Sequence, residues 1–319
     1  MLRQFAEPGQ ARGLRGGLGA AHRQAGSERF PGAGVPMSHD AAALRALAER
    51  VARAGGDLIR AGLADDPDAR AVESTKSTAT DIVTAMDRAV ERLLREQLAA
   101  QRPDDGLLGE ENGYAPGDSG LTWVLDPIDG TVNYRYGIDA YAVSVAVVEG
   151  DPTVDGAWTP VAACVHNPAT GDTWTAGRGL GAALAPGDGS GVRELKLGTP
   201  PELDQALVAT GFGYAATRRA GQARVLTGVL PRIRDIRRIG SASLDLCGVA
   251  TGTVDAYYER GVNVWDIAAA VLVLTEAGGV LSGLRGAPAG GAMVVGAASP
   301  LLEGLCDVLG QLDADSDPV

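Results

Sequence analysis

The hydrophobic pattern along the chain begins with two segments of helical spacing and continues with short apolar runs. Apolar residues recur at helical spacing from Asp40 to about Leu63, and again along a segment that contains Val83 and ends near Ala100. These segments predict two amphipathic helices. The runs that follow are each bounded by Gly, Asp, Asn or Pro: Leu107 to Leu108, Trp123 to Leu125, Ala142 to Val148, Val161 to Val165 and Thr173 to Ala176. They predict a meandering sheet joined by hairpin-like turns.

After about Leu197, strand patterns and helix patterns alternate. The predicted strands lie near Ala206 to Thr210, Ile233 to Ile239, Val254 to Tyr258, Val280 to Leu281 and Met293 to Val295. The predicted helices cover roughly Thr217 to Leu230, Ser241 to Ala250, Trp265 to Ala277 and Pro300 to Leu312. The chain therefore predicts an N-terminal α+β layer over residues 38–196 and a C-terminal α/β layer over residues 197–319.

Composition and charge narrow the possible functions. Of the 319 residues 45% are apolar, which is enough for a substantial core. The 40 acidic residues exceed the 28 basic ones, so the formal net charge is −12. This charge disfavours nucleic-acid partners, because the phosphate backbone is negative as well. No run of 18 apolar residues is present, so no membrane span is predicted.

The three cysteines, Cys164, Cys247 and Cys306, are odd in number and have no CxxC spacing. They are predicted to be buried small hydrophobes in a reducing compartment, which favours a cytoplasmic protein. Residues 1–37 are rich in Gly, Ala and Arg and lack an unbroken apolar stretch, so they do not predict a secretory signal. They are interpreted as a disordered tail or as a start assigned too early, with Met37 as the true first residue.

The stretch from Asp126 to Asn133, DPIDGTVN, carries the strongest chemical signal. An apolar strand is predicted to deliver Asp126 at its carboxyl end, and Pro127 to bend the backbone after it. Asp126, Asp129 and the Ile128 carbonyl can then face a common point. Gly130 allows a close approach to a ligand, and Thr131 is predicted to open a helix whose free N–H groups favour an anion. Hard oxygen ligands beside an anion cradle predict Mg²⁺ bridged to phosphate.

Two other interpretations of this stretch are weaker. Either aspartate alone would be explained as a cap in a strand-to-helix turn, but the full string favours a functional site. Haloacid-dehalogenase-type phosphatases use D-x-D-G-T near the first strand. Here one residue too many separates the aspartates, and the string lies in the middle of the chain. Glu110 follows an apolar run and could supply a third carboxylate, although paired glutamates are commonly surface charge. Asp266 lies in the first turn of a predicted helix, where by itself it would be explained as complementing the helix dipole.

Together these pieces resemble the inositol monophosphatase family of Mg²⁺-dependent, lithium-sensitive phosphatases, and most of all its bacterial members of the actinobacterial type. The resemblance runs from about Asp40 to Leu312. It rests on GEE around Glu110, on DPIDGT, on the Trp265-Asp266 pair, on KSTATDIVTAMD from Lys76 through Asp81 to Asp87, on Gly240-Ser241-Ala242, and on DAYYERG around Glu259. It implies a sandwich of alternating α-β-α-β-α layers of the sugar-phosphatase type, and a homodimer.

The resemblance also implies the metal ligands. Glu110, Asp126 and the Ile128 carbonyl would hold one Mg²⁺, and Asp126, Asp129 and Asp266 would hold a second. A weaker third ion would lie near Glu110. Independently of the resemblance, converging carboxylates repel one another unless cations neutralise them.

Further roles follow from the same resemblance. Thr131 with Asp87 would orient or deprotonate the attacking water, with Glu110 as a third catalytic residue. The backbone N–H groups of Gly130 and Thr131 would hold the phosphate. The hydroxyls of the sugar alcohol would meet a set of polar groups: Asp129, Ser241, Ala242, Glu259 and Asp266. Lys76 would lie on a loop that closes over the site and orders the third ion.

Three functions are therefore weighed. The first is hydrolysis of myo-inositol 1-phosphate or a related inositol monophosphate. The second is the same chemistry on histidinol phosphate, fructose 1,6-bisphosphate or 3′-phosphoadenosine 5′-phosphate, because residues such as Ser241 and Glu259 decide the substrate. The third is a binding role in a transcription complex, as in some bacterial relatives, which no basic stripe of the sequence supports.

Overall fold

The computed structural model describes residues 39–65, 70–78, 80 and 82–316. His39–Val319 group into one compact unit. The predicted tail at residues 1–37 and Asp81 of the KSTATDIVTAMD stretch lie outside the described residues. The predicted boundary between residues 196 and 197 falls within this compact unit. The division of the chain into the parts 38–196 and 197–319 therefore stays a prediction.

Seven α-helices lie within the described part of the chain. They are α1 Ala41–Asp65, α2 Ala85–Gln101, α3 Thr131–Tyr136, α4 Ala216–Val229, α5 Ala242–Thr251, α6 Val264–Glu276 and α7 Ser299–Gln311. The predicted helices of the second half begin and end within a residue or two of α4 to α7. Gly252 has a φ of 80° at the end of α5, a conformation that glycine adopts at little cost.

The strands form one large sheet, one smaller sheet and a short hairpin. Their bounds are β1 Val72–Thr75, β2 Ile82–Thr84, β3 Gly106–Gly109, β4 Gly113–Ala115, β5 Leu121–Asp129, β6 Ala142–Gly150, β7 Trp158–His166, β8 Thr173–Gly177, β9 Gly181–Ala185, β10 Arg193–Leu195, β11 Leu207–Thr210, β12 Asp235–Arg237, β13 Ala256–Glu259, β14 Val280–Ser282 and β15 Val294–Ala297. The eight-stranded sheet has the order β10-β9-β8-β7-β6-β5-β3-β4, and the five-stranded sheet has the order β12-β11-β13-β15-β14.

The predicted meander is confirmed from β5 to β8, where each strand pairs antiparallel with the next. The strands β9 and β10, which were not predicted, continue the same antiparallel order. In contrast, β3 pairs parallel with β5, so that both strands end at the same edge of the sheet. The short strands β1 and β4 were not predicted, because they are largely exposed and show no apolar alternation. Val83 was wrongly placed on a helix. It lies in β2, and α2 begins only after the cap at Thr84.

The central strands β5 and β6 of the large sheet are buried on both faces because helices cover both faces. On β6, Val143, Val145 and Val147 pack in one cluster with residues of α1 and α2. Ala146 and Val148 of the same strand belong to a second cluster, formed with residues of α5 and α6. This alternation explains the continuous apolar run of β6.

The second sheet completes the layered order. Residues of α5 and α6 pack in one cluster with Tyr257 of β13, whereas Tyr258 packs in another cluster with residues of α4 and α7. The layers are therefore α1/α2, the large sheet, α5/α6, the small sheet, and α4/α7. This is the predicted α-β-α-β-α sandwich.

Cys164 and Cys247 are free and buried as predicted, whereas Cys306 is partly exposed. Within the described residues, no helix combines the length and the apolar character that crossing a membrane requires.

His166 at the end of β7 gives the fold a testable pH dependence. Its ring lies between the Thr173 hydroxyl, 2.8 Å from Nδ1, and the Arg60 guanidinium, 3.4 Å from Nε2. Burial lowers the pKa of His166 from 6.5 to about 4, and nearby arginines add to the effect. The folded state therefore binds fewer protons than the unfolded state between these values.

We expect His166 to stabilise the fold above pH 6.5 and to lose this contribution as the pH falls towards 4. The loss at pH 5 is about 2 kcal/mol from the two pKa values. Urea unfolding at pH 7.5 and pH 5 of the wild type and of His166→Gln measures it as the difference between the two proteins. A difference that does not change with pH would contradict the prediction.

Candidate active site

The central strand β5 presents two aspartates through a bulge. Asp126 pairs with Ser144 and Asp129 pairs with Ala142, so one extra residue lies on β5 between the two pairs. Pro127, which has no N–H to donate, lies within this bulge, and the Ile128 N–H donates to Asp126 Oδ1 at 3.0 Å. The strand was predicted to end at Leu125, just before Asp126, but it continues to Asp129.

Gly130 turns the chain from β5 into α3. Its φ is 97°, and a Cβ there would lie 3.0 Å from the Ala140 carbonyl oxygen and 3.1 Å from that of Gly240. Only glycine combines this conformation with this close approach. Thr131 then opens α3, as predicted.

The third carboxylate comes from the second half of the chain. Asp266 is the third residue of α6, and its carboxylate accepts the Asn263 N–H at 2.6 Å. One oxygen each of Asp126, Asp129 and Asp266 lies within 4.8 Å of the others. The structure thus brings together three of the predicted metal-binding carboxylates, which are up to 140 positions apart (266 − 126 = 140).

The negative charges of these carboxylates repel one another. Burial raises the pKa of Asp126 well above its ordinary value, and the charges of Glu110, Asp129 and Asp266 raise it further. Burial and the charges of Asp129 and Glu110 act in the same way on the pKa of Asp266. A divalent cation relieves both the burial cost and the repulsion. Because the donors are hard oxygens, they fit Mg²⁺ better than zinc.

Glu110 follows β3 at the same edge of the sheet and lies outside this three-carboxylate group. Lys76 Nζ is 2.7 Å from Glu110 Oε1 and 2.6 Å from Glu111 Oε1. Burial raises the pKa of Glu110, and the Lys76 charge opposes that rise. Burial alone would lower the pKa of Lys76, but the two glutamates raise it above its ordinary value. Glu111 was not predicted, because adjacent glutamates are common on surfaces.

The predicted pair of Thr131 and Asp87 is also brought together. Thr131 Oγ1 lies 3.2 Å from Asp87 Oδ1 and 3.1 Å from the Ile128 carbonyl oxygen. The other Asp87 oxygen accepts the Thr84 N–H at 2.8 Å and the Thr84 hydroxyl at 2.5 Å, which caps α2. Burial raises the pKa of Asp87 to about 6.

The beginning of α5 holds Asp129 from the opposite side. Asp129 Oδ2 accepts the Ser241 hydroxyl at 2.6 Å, the Ser243 N–H at 2.7 Å and the Ser243 hydroxyl at 2.5 Å. The Ala242 N–H is a further donor to this carboxylate. Ser243 was missed, and its spacing from Ser241 is the only signal that the sequence offers. The predicted contacts of Ser241 and Ala242 with a substrate remain predictions.

Glu259 at the end of β13 borders the same acidic region. It accepts the Tyr257 hydroxyl at 2.8 Å, and a Cβ on Gly211 would overlap its carboxylate. Burial raises the pKa of Glu259 to about 7, and its charge is one cause of the raised pKa of Asp266. Asp245 of α5 is a further buried acid here, with a pKa raised to about 8 by burial and then by Glu259.

Most of the chain matches one known protein family. Residues 40–312 match the model of the inositol monophosphatase family. The inositol-1-monophosphatase of Mycobacterium leprae is 48% identical over 263 residues, which are 80% of this chain and 81% of that protein. A protein of Xylella fastidiosa called Nus factor SuhB is 38% identical over 66% of this chain and 71% of its own length. The solved structure of Mycobacterium tuberculosis SuhB has a TM-score of 0.71 and 40% identity, over 87% of this chain and 100% of that one.

Proposed function

The chain belongs to the inositol monophosphatase family, and on that premise we propose that it hydrolyses myo-inositol 1-phosphate to myo-inositol and phosphate with Mg²⁺. The observation that carries the proposal is the group of the buried Asp126 and Asp129 and the partly buried Asp266, together with the paired Thr131 and Asp87. A phosphate monoester repels nucleophiles because it is negatively charged, so its hydrolysis needs fixed cations and an oriented water.

The proposed ligands divide into two sets that share Asp126. Glu110, Asp126 and the Ile128 carbonyl would hold one Mg²⁺, and Asp126, Asp129 and Asp266 would hold a second. Bound Mg²⁺ neutralises the charge of the phosphate and stabilises the attacking and leaving oxygens. Lys76 already bridges Glu110 and Glu111, which is consistent with a third cation position there.

The side chains supply orientation and proton transfer. The Thr131 hydroxyl donates to Asp87, so its oxygen is free to accept a hydrogen from the attacking water. Asp87 is held in this orientation by the N–H and the hydroxyl of Thr84. A proton can thus pass from water through Thr131 towards Asp87.

In the same proposal the substrate lies against the first turns of α3 and α5. The N–H groups of Gly130 and Thr131 would bind the phosphate oxygens. The hydroxyls of the alcohol would meet Asp129, Ser241, Ala242, Glu259 and Asp266, and the Ser241 hydroxyl also holds Asp129. Tyr257 donates to Glu259 Oε2, and the carboxylate of Glu259 has further acceptor capacity for a substrate hydroxyl. A homodimer, lithium inhibition and a cytoplasmic location complete the proposal as expectations from the family.

A panel of phosphate esters with a free-phosphate readout tests the substrate. We expect at least about tenfold higher kcat/KM for myo-inositol 1-phosphate than for histidinol phosphate, fructose 1,6-bisphosphate or 3′-phosphoadenosine 5′-phosphate, about 1.4 kcal/mol of discrimination. A smaller preference would retain the phosphatase and reject inositol phosphate as its substrate.

The Xylella fastidiosa relative called a Nus factor raises a second possibility, a binding role in transcription. The net charge of −12 disfavours direct contact with nucleic acid. In cells, an Asp126→Asn chain that loses phosphatase activity but restores a deletion phenotype would support the binding role. Failure to restore it supports catalysis.

A further inference from the structure

Helix α2 carries a row of three charged residues along the side that faces the site. Asp87, Glu91 and Arg95 are spaced by four positions and therefore lie on one face of the helix. Asp87 holds Thr131. Glu91 is completely buried, and neither composition nor motif pointed to it.

The carboxylate of Glu91 is occupied by the turn that follows β3. Its Oε2 accepts the Glu111 N–H at 2.7 Å, and its Oε1 accepts the Asn112 N–H and the Asn112 side-chain amide at 3.1 Å each. Arg95 Nε donates to Oε1 at 2.7 Å. These four donors nearly saturate the two oxygens, so Glu91 itself has little capacity left to bind a cation.

Glu91 and Arg95 contact the backbone both before and after Glu110. Arg95 also donates to the Gly113 carbonyl at 2.5 Å. On the other side, a Cβ on Gly109 would overlap the Glu91 carboxylate, so the backbone of β3 passes directly over it. Glu110 is therefore flanked by Gly109, which packs on Glu91, and by Glu111, whose N–H is bound to Glu91.

A buried ion pair of this kind is poorly explained by stability alone. Taking Glu91 and Arg95 out of water costs about as much as their attraction returns, and apolar residues of similar volume often stabilise a fold equally well. The pair does, however, hydrogen-bond to the backbone of three consecutive residues, Glu111 to Gly113, which directly follow Glu110. Groups that orient a metal ligand often matter nearly as much as the ligand.

We propose that Glu91 is a positioning residue that fixes the turn presenting Glu110, and that it thereby sets the affinity of the site for Mg²⁺. This inference rests on the proposed role of Glu110 as a cation ligand. Helix α2 would then position two residues of the site. Asp87 orients Thr131, and Glu91, one turn later, orients Glu110.

The test measures Mg²⁺ binding directly. Glu91→Gln replaces one acceptor oxygen with an amide that donates, so either the Glu111 N–H or the Asn112 and Arg95 donors lose their partner. We expect the Kd for MgCl₂ by isothermal titration calorimetry to rise about tenfold or more. At fixed subsaturating Mg²⁺, kcat should fall similarly, while KM for the best ester changes less than about threefold. Glu96→Gln, on the exposed face of the same helix, is the matched control and should leave all three values unchanged.

A second variant separates positioning from folding. Glu91→Met combined with Arg95→Met keeps the volume of the pair and removes its hold on the turn. We expect thermal unfolding close to that of the wild type but the same loss of Mg²⁺ affinity. An Mg²⁺ Kd within twofold of the wild type in either folded variant would overturn the inference, as would failure of both variants to fold. If the wild type binds Mg²⁺ but hydrolyses no ester, the proposed function fails while the Mg²⁺ comparison still decides the role of Glu91.

Discussion

Asp126→Asn is expected to lower kcat/KM about a thousandfold or more, and at the same time to raise the melting temperature of the metal-free protein. The loss of activity follows because Asp126 is the ligand common to both proposed cations, which contribute several kcal/mol of charge stabilisation. The gain in stability follows because Asn removes one of several mutually repelling buried carboxylates. Asn can still accept the Ile128 N–H, so the bulge of β5 keeps its support.

Thermal unfolding in EDTA and in excess MgCl₂ checks both halves of this prediction. We expect the metal-free melting temperature of the variant to exceed that of the wild type by about 2–4 °C, which corresponds to about 1–2 kcal/mol for a domain of this size. The rise that Mg²⁺ causes in the wild type should largely disappear in the variant. Asp118→Asn, at an exposed position, is the control. An unchanged kcat/KM, or a variant less stable without metal, would refute the assignment of Asp126.

The sequence could mark each member of this carboxylate group because each lies at a locally recognisable position. Asp126 and Asp129 are three positions apart, and Asp266 opens an apolar helix, so each could be placed at the end of a predicted element. Whether a strand could be predicted depended on how far it is buried. The strands β5 and β6 are apolar along their length, and this pattern predicted them well, whereas exposed strands such as β4 offered no pattern.

The sequence did not predict the residues that hold other residues of the site in position. Glu91 and Ser243 look like ordinary helix residues, because nothing local marks a side chain that bonds to backbone 20 positions away or to a carboxylate 114 positions away. The parallel pairing of β3 with β5 was equally invisible, yet it places Glu110 and Asp126 at one edge of the sheet. Long-range pairing is set by the whole core and not by the pattern of one segment.

Thr131→Ala is expected to lower kcat by about 10²- to 10³-fold with a much smaller change in KM. The hydroxyl of Thr131 lies between Asp87 and the Ile128 carbonyl, where it can order a water and pass its proton on. Proton transfer by a positioned side chain contributes about 10²- to 10⁴-fold. Removing the hydroxyl leaves the Gly130 turn, the start of α3 and the carboxylates in place, so binding of Mg²⁺ should persist.

Thr131→Ser provides the decisive comparison, because it restores the hydroxyl without the methyl group and should recover activity to within about tenfold of the wild type. Steady-state kinetics at saturating Mg²⁺ measures both variants, and calorimetry confirms that the cations still bind. Thr227→Ala, on the exposed side of α4, controls for the loss of a helical threonine elsewhere. If Thr131→Ala and Thr131→Ser were equally impaired, packing of the side chain and not its hydroxyl would be responsible, and Asp87 would have to act on water directly.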